Sequence, residues 1–230
     1  MQRRQLGLIA RLNRRHRDRL PGYRDLDARI RSFELAYRMQ MDATDAFNIN
    51  KEPQYIRQLY GDTLHGREFL IARRLLERGV RFIQLYHPGW DQHGGLPGGL
   101  STQCRETDQA SAALVSDLKQ RGMLEDTLIL WTTEFGRMPC AQGSKGRDHN
   151  PFVFTNWLAG GGIRGGVTHG ESDEWGFRPA DQNNPTSCHD IHATIMHQLG
   201  IKHEKLTYRY SGRDFRLTDV HGQVAHEIIA

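Results

Sequence analysis

The run Thr127-Leu-Ile-Leu-Trp-Thr-Thr133 constrains this chain more than any other segment. It is almost wholly apolar or β-branched, with no polar alternation, which predicts a strand covered on both faces. Strands of that kind belong to α/β folds, where helices flank a largely parallel sheet. Two further segments read as strands: Val80-Arg-Phe-Ile-Gln-Leu-Tyr86, ahead of a Gly/Pro-rich loop over 87–100, and Pro151–Leu158, ahead of the glycine-rich 160–166.

Helices are predicted around them. Residues 3–20 place Leu6, Ile9, Leu12 and Leu20 near helical spacing and stop at Pro21-Gly22, and 24–41 repeats the pattern. The segment 64–79 ends on a glycine, 103–122 is of mixed polarity, and 189–199 is followed by Gly200. The alternation predicts an α/β sandwich over 80–230 preceded by a helical segment over 1–79. Only three or four strands are visible, few for a complete fold of this class.

Charge separates the same two regions. The net charge of +4 over 230 residues resolves into +7 over residues 1–31, which hold ten arginines and three aspartates, and −3 over the remainder. An arginine-rich helix of this kind either contacts phosphates or is simply a solvated face. Tyr23 is the sole aromatic there and no nucleic-acid motif accompanies it, so a nucleic-acid partner is not expected. No stretch approaches the ~18 apolar residues of a membrane span, and no signal peptide is visible, which taken literally places the chain in the cytoplasm. Three cysteines without a CxxC pair argue against a disulfide framework and against a structural zinc site.

In parallel α/β sheets ligands bind beyond the carboxyl ends of strands. Asp91 and His93 follow the first predicted strand in His87-Pro-Gly-Trp-Asp-Gln-His93, two residues apart and flanked by glycine, so both could reach one ion. Glu134 and Arg137 follow the second, and the same loop ends in Arg147-Asp148-His149. Carboxylate oxygens mixed with imidazole suit Zn, Mn, Fe or Mg, with Ca as a further candidate. Each fragment alone has an ordinary explanation: a surface turn for Asp91 and His93, a structural ion pair for Glu134 with Arg137. Their convergence at strand ends favours a divalent-metal site with Asp91, His93, Glu134, Asp148 and His149 as ligands and Arg137 or Arg147 orienting an anion. No side-chain nucleophile stands out: GxSxG and P-loop patterns are absent, and Gly160-Gly-Gly-Ile-Arg-Gly-Gly166 lacks the spacing of a dinucleotide fingerprint.

The strings TLILWTTEFGR, GRDHNPFVFTNWLAGGGIRGG, HDIHATIMHQLGI and HEKLTYRYSGRDFRLTDVHG resemble the family called domain of unknown function 1501 (DUF1501). That family is similar to the sulfatase-like proteins of the alkaline phosphatase superfamily. The resemblance spans the whole chain and implies a three-layer α/β/α sandwich with a two-metal site hydrolysing phosphate or sulfate esters. Asp91 and His93 would supply one ligand pair and Asp148 and His149 the later ligands. Glu134 stands where an aspartate is expected, and Phe135 where a histidine is expected. The superfamily carries its first metal-binding aspartate and its nucleophile in N-terminal strands, which implies that this chain is a C-terminal half. A separately encoded N-terminal half would then be its partner, and export to the periplasm its fate. The expected function is metal-dependent hydrolysis of sulfate or phosphate esters, with an anionic ester as substrate. The alternative is a non-catalytic fragment, or a metal- or carbohydrate-binding module of the same fold.

Overall fold

The computed structural model of the chain describes residues 2–19 and 24–230. It divides into two compact units, Met1–Gln54 with Leu70–Ile83, and Tyr55–Phe69 with Gln84–Ala230.

The first unit is helical. Helices α1 (Gln2–Arg19) and α2 (Arg24–Phe47) cover the predicted segments, with α2 running six residues beyond the expected end at 41. The expected stop at Pro21-Gly22, and Leu20 and Tyr23 beside it, lie outside the described residues. Leu8, Ile9 and Leu12 of α1 and Phe33 and Leu35 of α2 are exposed. What is buried here is partly ionic. Ala46, Leu70 and Ala72 are buried alongside Arg73 and Arg74, which belong to α4 (Leu64–Leu76). Arg73 contacts Glu52 Oε2 through Nη2 at 2.6 Å and donates to Glu77 Oε2 through Nη1 at 2.8 Å. Arg74 donates to the carbonyls of Ala46 and Asp45, each at 2.8 Å, and pairs with Glu52 Oε1. Burial opposes ionisation of Glu52, but the hydrogen bonds from Arg73 and Arg74 outweigh it and hold its pKa below the ordinary 4.5.

The second unit carries α3 (Gln54–Tyr60, from Tyr55 on), α5 (Leu96–Gln120), α6 (Cys188–Gln198) and all the described strands. On α5, Ala110, Ala113, Leu114 and Leu118 are buried, as are Ile56 and Tyr60 of α3. Tyr60 Oη donates to the buried Asp117 of α5 at 2.9 Å, giving that carboxylate a partner away from water. Helix α5 begins seven residues before the expected 103. Its first turn holds Pro97, Gly98 and Gly99, and proline is tolerated there because the first N–H groups need no intrahelical partner. Helix α6 starts in a capping box: Ser187 Oγ accepts from Asp190 N, and Asp190 Oδ2 accepts from Ser187 N at 2.6 Å. Asp190, rather than the neighbouring His189 or His192, does the capping.

The strands differ from the expected parallel sheet. β1 (Ile129–Trp131) pairs antiparallel with β4 (Trp157–Ala159) in the register Ile129↔Ala159, Leu130↔Leu158, Trp131↔Trp157. β2 (Gly136–Arg137) pairs antiparallel with β3 (His149–Asn150), and β5 (Thr207–Tyr210) with β6 (Arg213–Arg216). The reason lies in the connections. A parallel neighbour needs a long crossover, usually helical, but 132–156 contains only the short β2–β3 ladder and returns the chain directly beside β1. The expected strand over 80–86 forms no ladder among the described residues, and Phe82 and Tyr86 are exposed. All three β1 residues are half-buried, so the apolar run is not covered on both faces here. The chain leaves β4 through Gly160 (φ 69°), where a Cβ would lie 2.3 Å from Leu124 O. The architecture is mixed α/β with small antiparallel sheets. No helix among the described residues is long and apolar enough to cross a membrane.

Candidate metal centre

Three elements of the second unit meet at one point. The irregular loop before α5 brings Asp91 and His93; β2 brings Arg137; β3 brings His149. Arg137 and His149 are register partners, so their side chains leave the same face of the two-stranded ladder and can reach a common neighbour. The loop is tied to the β2–β3 connection by Arg147 N donating to Gln92 O at 3.1 Å and Leu96 N donating to Lys145 O at 2.8 Å. Gly146 permits this approach: a Cβ there would stand 1.9 Å from His93 O, inside any allowed contact.

The result is a triangle of donor atoms. His93 Nε2 and His149 Nε2 are 3.0 Å apart, His149 Nε2 lies 2.9 Å from Asp91 Oδ1, and His93 Nε2 lies 3.0 Å from the same oxygen. Arg137 Nη2 donates to Asp91 Oδ1 at 2.9 Å. His149 and then Arg137, as hydrogen-bonding partners, lower the Asp91 pKa to about 2, so the carboxylate is ionised across the neutral range. The Phe135 ring lies against His149 with centroids 4.1 Å apart.

His93 is oriented from behind. Its Nδ1 is 2.6 Å from Gln142 Oε1, an atom that only accepts; in the neutral ring with its proton on Nδ1, Nε2 has a lone pair to offer an ion. A hydrogen-bonded far nitrogen that fixes the tautomer of the near one is the arrangement metal-ligating histidines use. The triangle's size also fits an ion. Octahedral coordination at about 2.1 Å spaces adjacent donors about 3.0 Å apart, and tetrahedral coordination about 3.4 Å, so small side-chain movements accommodate either. Asp91, His93 and His149 could therefore hold a metal ion.

Not every expected ligand joins them. Asp148 is exposed; its Oδ1 accepts from His149 N at 2.8 Å and lies 3.8 Å from His93 Nδ1, behind the triangle rather than on it. Glu134 is exposed and outside the cluster. Arg137 faces Asp91, not Glu134, so the ion pair considered from sequence has a different acid. Arg147 donates to Gly146 O at 2.8 Å. Gln142 escaped the sequence reading because glutamine neither titrates nor ligates readily. Its one signal is placement, in a loop whose ends return to the metal-bearing segments.

The family described as "Protein of unknown function (DUF1501)" matches residues 1–229. No curated protein and no solved structure matches the chain significantly.

Proposed function

We propose for this chain, which belongs to the DUF1501 family, the hydrolysis of sulfate or phosphate esters at a divalent-metal site held by Asp91, His93 and His149. The observation that carries the reading is the 2.9–3.0 Å triangle of two imidazole nitrogens and one carboxylate oxygen, with Gln142 Oε1 against the far nitrogen of His93. Two imidazoles and one carboxylate favour Zn, Mn or Fe over Ca or Mg, which prefer all-oxygen sites. When bound, the ion supplies a Lewis acid that polarises an ester oxygen and stabilises charge developing on it.

The chain's own groups do the rest. Arg137 hydrogen-bonds Asp91 Oδ1 and, after His149, helps to lower the pKa of that carboxyl. An anionic ester arriving there competes with Asp91 for the Arg137 fork, and Arg147 offers N–H groups beyond the one it gives Gly146. The three-layer, alkaline-phosphatase-like arrangement and a second ion using Glu134 and Asp148 belong to the same proposal.

The test is elemental analysis of the purified chain together with assays on p-nitrophenyl sulfate and p-nitrophenyl phosphate. Near-stoichiometric Zn, Mn or Fe, lost along with hydrolysis in an Asp91→Ala/His149→Ala variant, is the expected result. A metal-free chain that takes up none of these ions on dialysis overturns it.

One observation favours a second reading, a non-catalytic module of the same fold. Asp91 already has Arg137 and His149 as partners, and the two histidines satisfy each other, so the cluster is complete as a hydrogen-bonded network. That reading expects identical melting with and without chelator, and no hydrolysis.

A further inference from the structure

Besides the triangle, the second unit holds a cavity of about 370 Å³ lined by Trp90, Cys104, Thr107, Asp108, Ser111, Trp131 and Trp157. It takes three of the chain's four tryptophans. They come from separate places that the fold brings together. Trp131 and Trp157 are directly opposed across the β1–β4 ladder, and Trp90 stands in the loop before α5. Helix α5 contributes the other wall with Cys104, Thr107, Asp108 and Ser111, spaced i, i+3, i+4 and i+7 and so on one face.

We propose that this cavity binds a neutral pyranose ring. Three half-buried tryptophans in the lining suit a ligand with a flat, C–H-rich face that can lie against indole. On the facing wall Asp108 and Ser111 offer polar partners that a ligand hydroxyl can use and a purely apolar ligand cannot. Thr107 Oγ1 donates its proton to Gln103 O at 3.0 Å, which leaves the hydroxyl only its acceptor capacity. An exposed carboxylate and two hydroxyls, all able to accept, suit the hydroxyl edge of a sugar. Asp108 is the only charged group in the lining, so it repels an anion and disfavours a phosphate-bearing nucleotide. The volume lies at the small end of the ~300–1,000 Å³ typical of ligand pockets, which suits a short saccharide rather than a long polymer segment.

The cavity adjoins the metal centre along the chain: Trp90 lines it and Asp91 is a corner of the triangle, with Cα atoms about 3.8 Å apart. That the ring is the alcohol part of the ester rests on the hydrolase reading above; binding of the ring does not.

The experiment is a titration of intrinsic tryptophan fluorescence on the full chain in EDTA, using the methyl glycosides of glucose, galactose, mannose, xylose and fucose, with adenosine and indole as flat non-sugar probes. At least one glycoside gives a saturable emission change, weakened about tenfold in Trp90→Ala and again in Asp108→Ala. Both positions are solvent-accessible, and retained circular dichroism shows that the variants fold. Binding persists in Asp91→Ala, which separates this site from the metal centre. Absence of a saturable response to every glycoside overturns the proposal, as does indole or adenosine binding more tightly than any of them. Sugar binding without ester hydrolysis keeps the cavity and removes the hydrolase reading; hydrolysis without sugar binding does the reverse.

Discussion

Arg73 and Arg74 hold Glu52 where water barely reaches, whereas Arg137 holds Asp91 in the open. The Arg73 side chain is 1% exposed and that of Asp91 67%. In the first cluster Arg73, Arg74 and Glu52 have surrendered most of their hydration, so each needs several partners. Arg73 meets two carboxylates, and Arg74 meets the carboxylates of Glu52 and Asp45 and two carbonyls. Such a group is held together by the cost of breaking it. In the second cluster water screens the pair, and an exposed ion pair contributes little to stability. Stability therefore gives little reason to gather a carboxylate and two histidines within about 3 Å of one another, with an arginine on the carboxylate. Ligand chemistry gives a better one.

The contrast breaks most visibly at Glu52. Glu52→Ala leaves Arg73 and Arg74 buried with a partner missing, and a loss of about 3–5 kcal/mol is expected in urea unfolding. Asp91→Ala, judged by the same measurement without metal, should leave the urea midpoint nearly unchanged, because the pair it breaks is exposed. Comparable losses from the two variants would remove the distinction.

Acid sharpens it further. The folded Glu52 pKa is lowered, so its contribution is fully present above the ordinary 4.5 and is lost as pH falls through the folded value. Unfolding followed from pH 6 to pH 3 should show a stability decrease in the parent that Glu52→Gln largely lacks. A parent and variant with parallel pH profiles would refute the assignment.

Gln142 tests the other side. Gln142→Ala removes the acceptor behind His93 Nδ1 and is expected to weaken metal affinity about 10–100-fold while the urea midpoint stays put. Gln142→Glu, which still accepts from Nδ1, should retain binding. Equal loss in both variants would mean that the side chain matters only for the loop's shape.

Legibility followed the same line between local and long-range causes. Helices α4 and α6 could be read because their stops lie within a few residues of their ends: Gly79 after α4, and Gly200 after α6. The first turn of α5 was hidden by Pro97-Gly98-Gly99, poor helix residues that a first turn tolerates. The apolar run around Leu130 announced a strand but not its direction, since strand direction depends on what returns beside it, and here that is Leu158. At the site, Asp91, His93 and His149 were visible by residue type alone. That they converge and that Glu134 lies elsewhere depends on the Arg137↔His149 register, which neither segment encodes alone.

The smallest expected effect lies within the triangle. Arg137→Met removes one of the two hydrogen bonds that lower the Asp91 pKa to about 2, while His149 continues to donate. The carboxyl should then titrate between about 2 and its ordinary 3.8, measured by NMR on the metal-free chain, with overall stability nearly unchanged because the lost pair is exposed. The direction matters more than the size. A raised value with unchanged folding means that Arg137 tunes the ligand rather than the fold, whereas an unmoved value means that His149 alone sets it. Arg137 would then be left to meet an incoming anion.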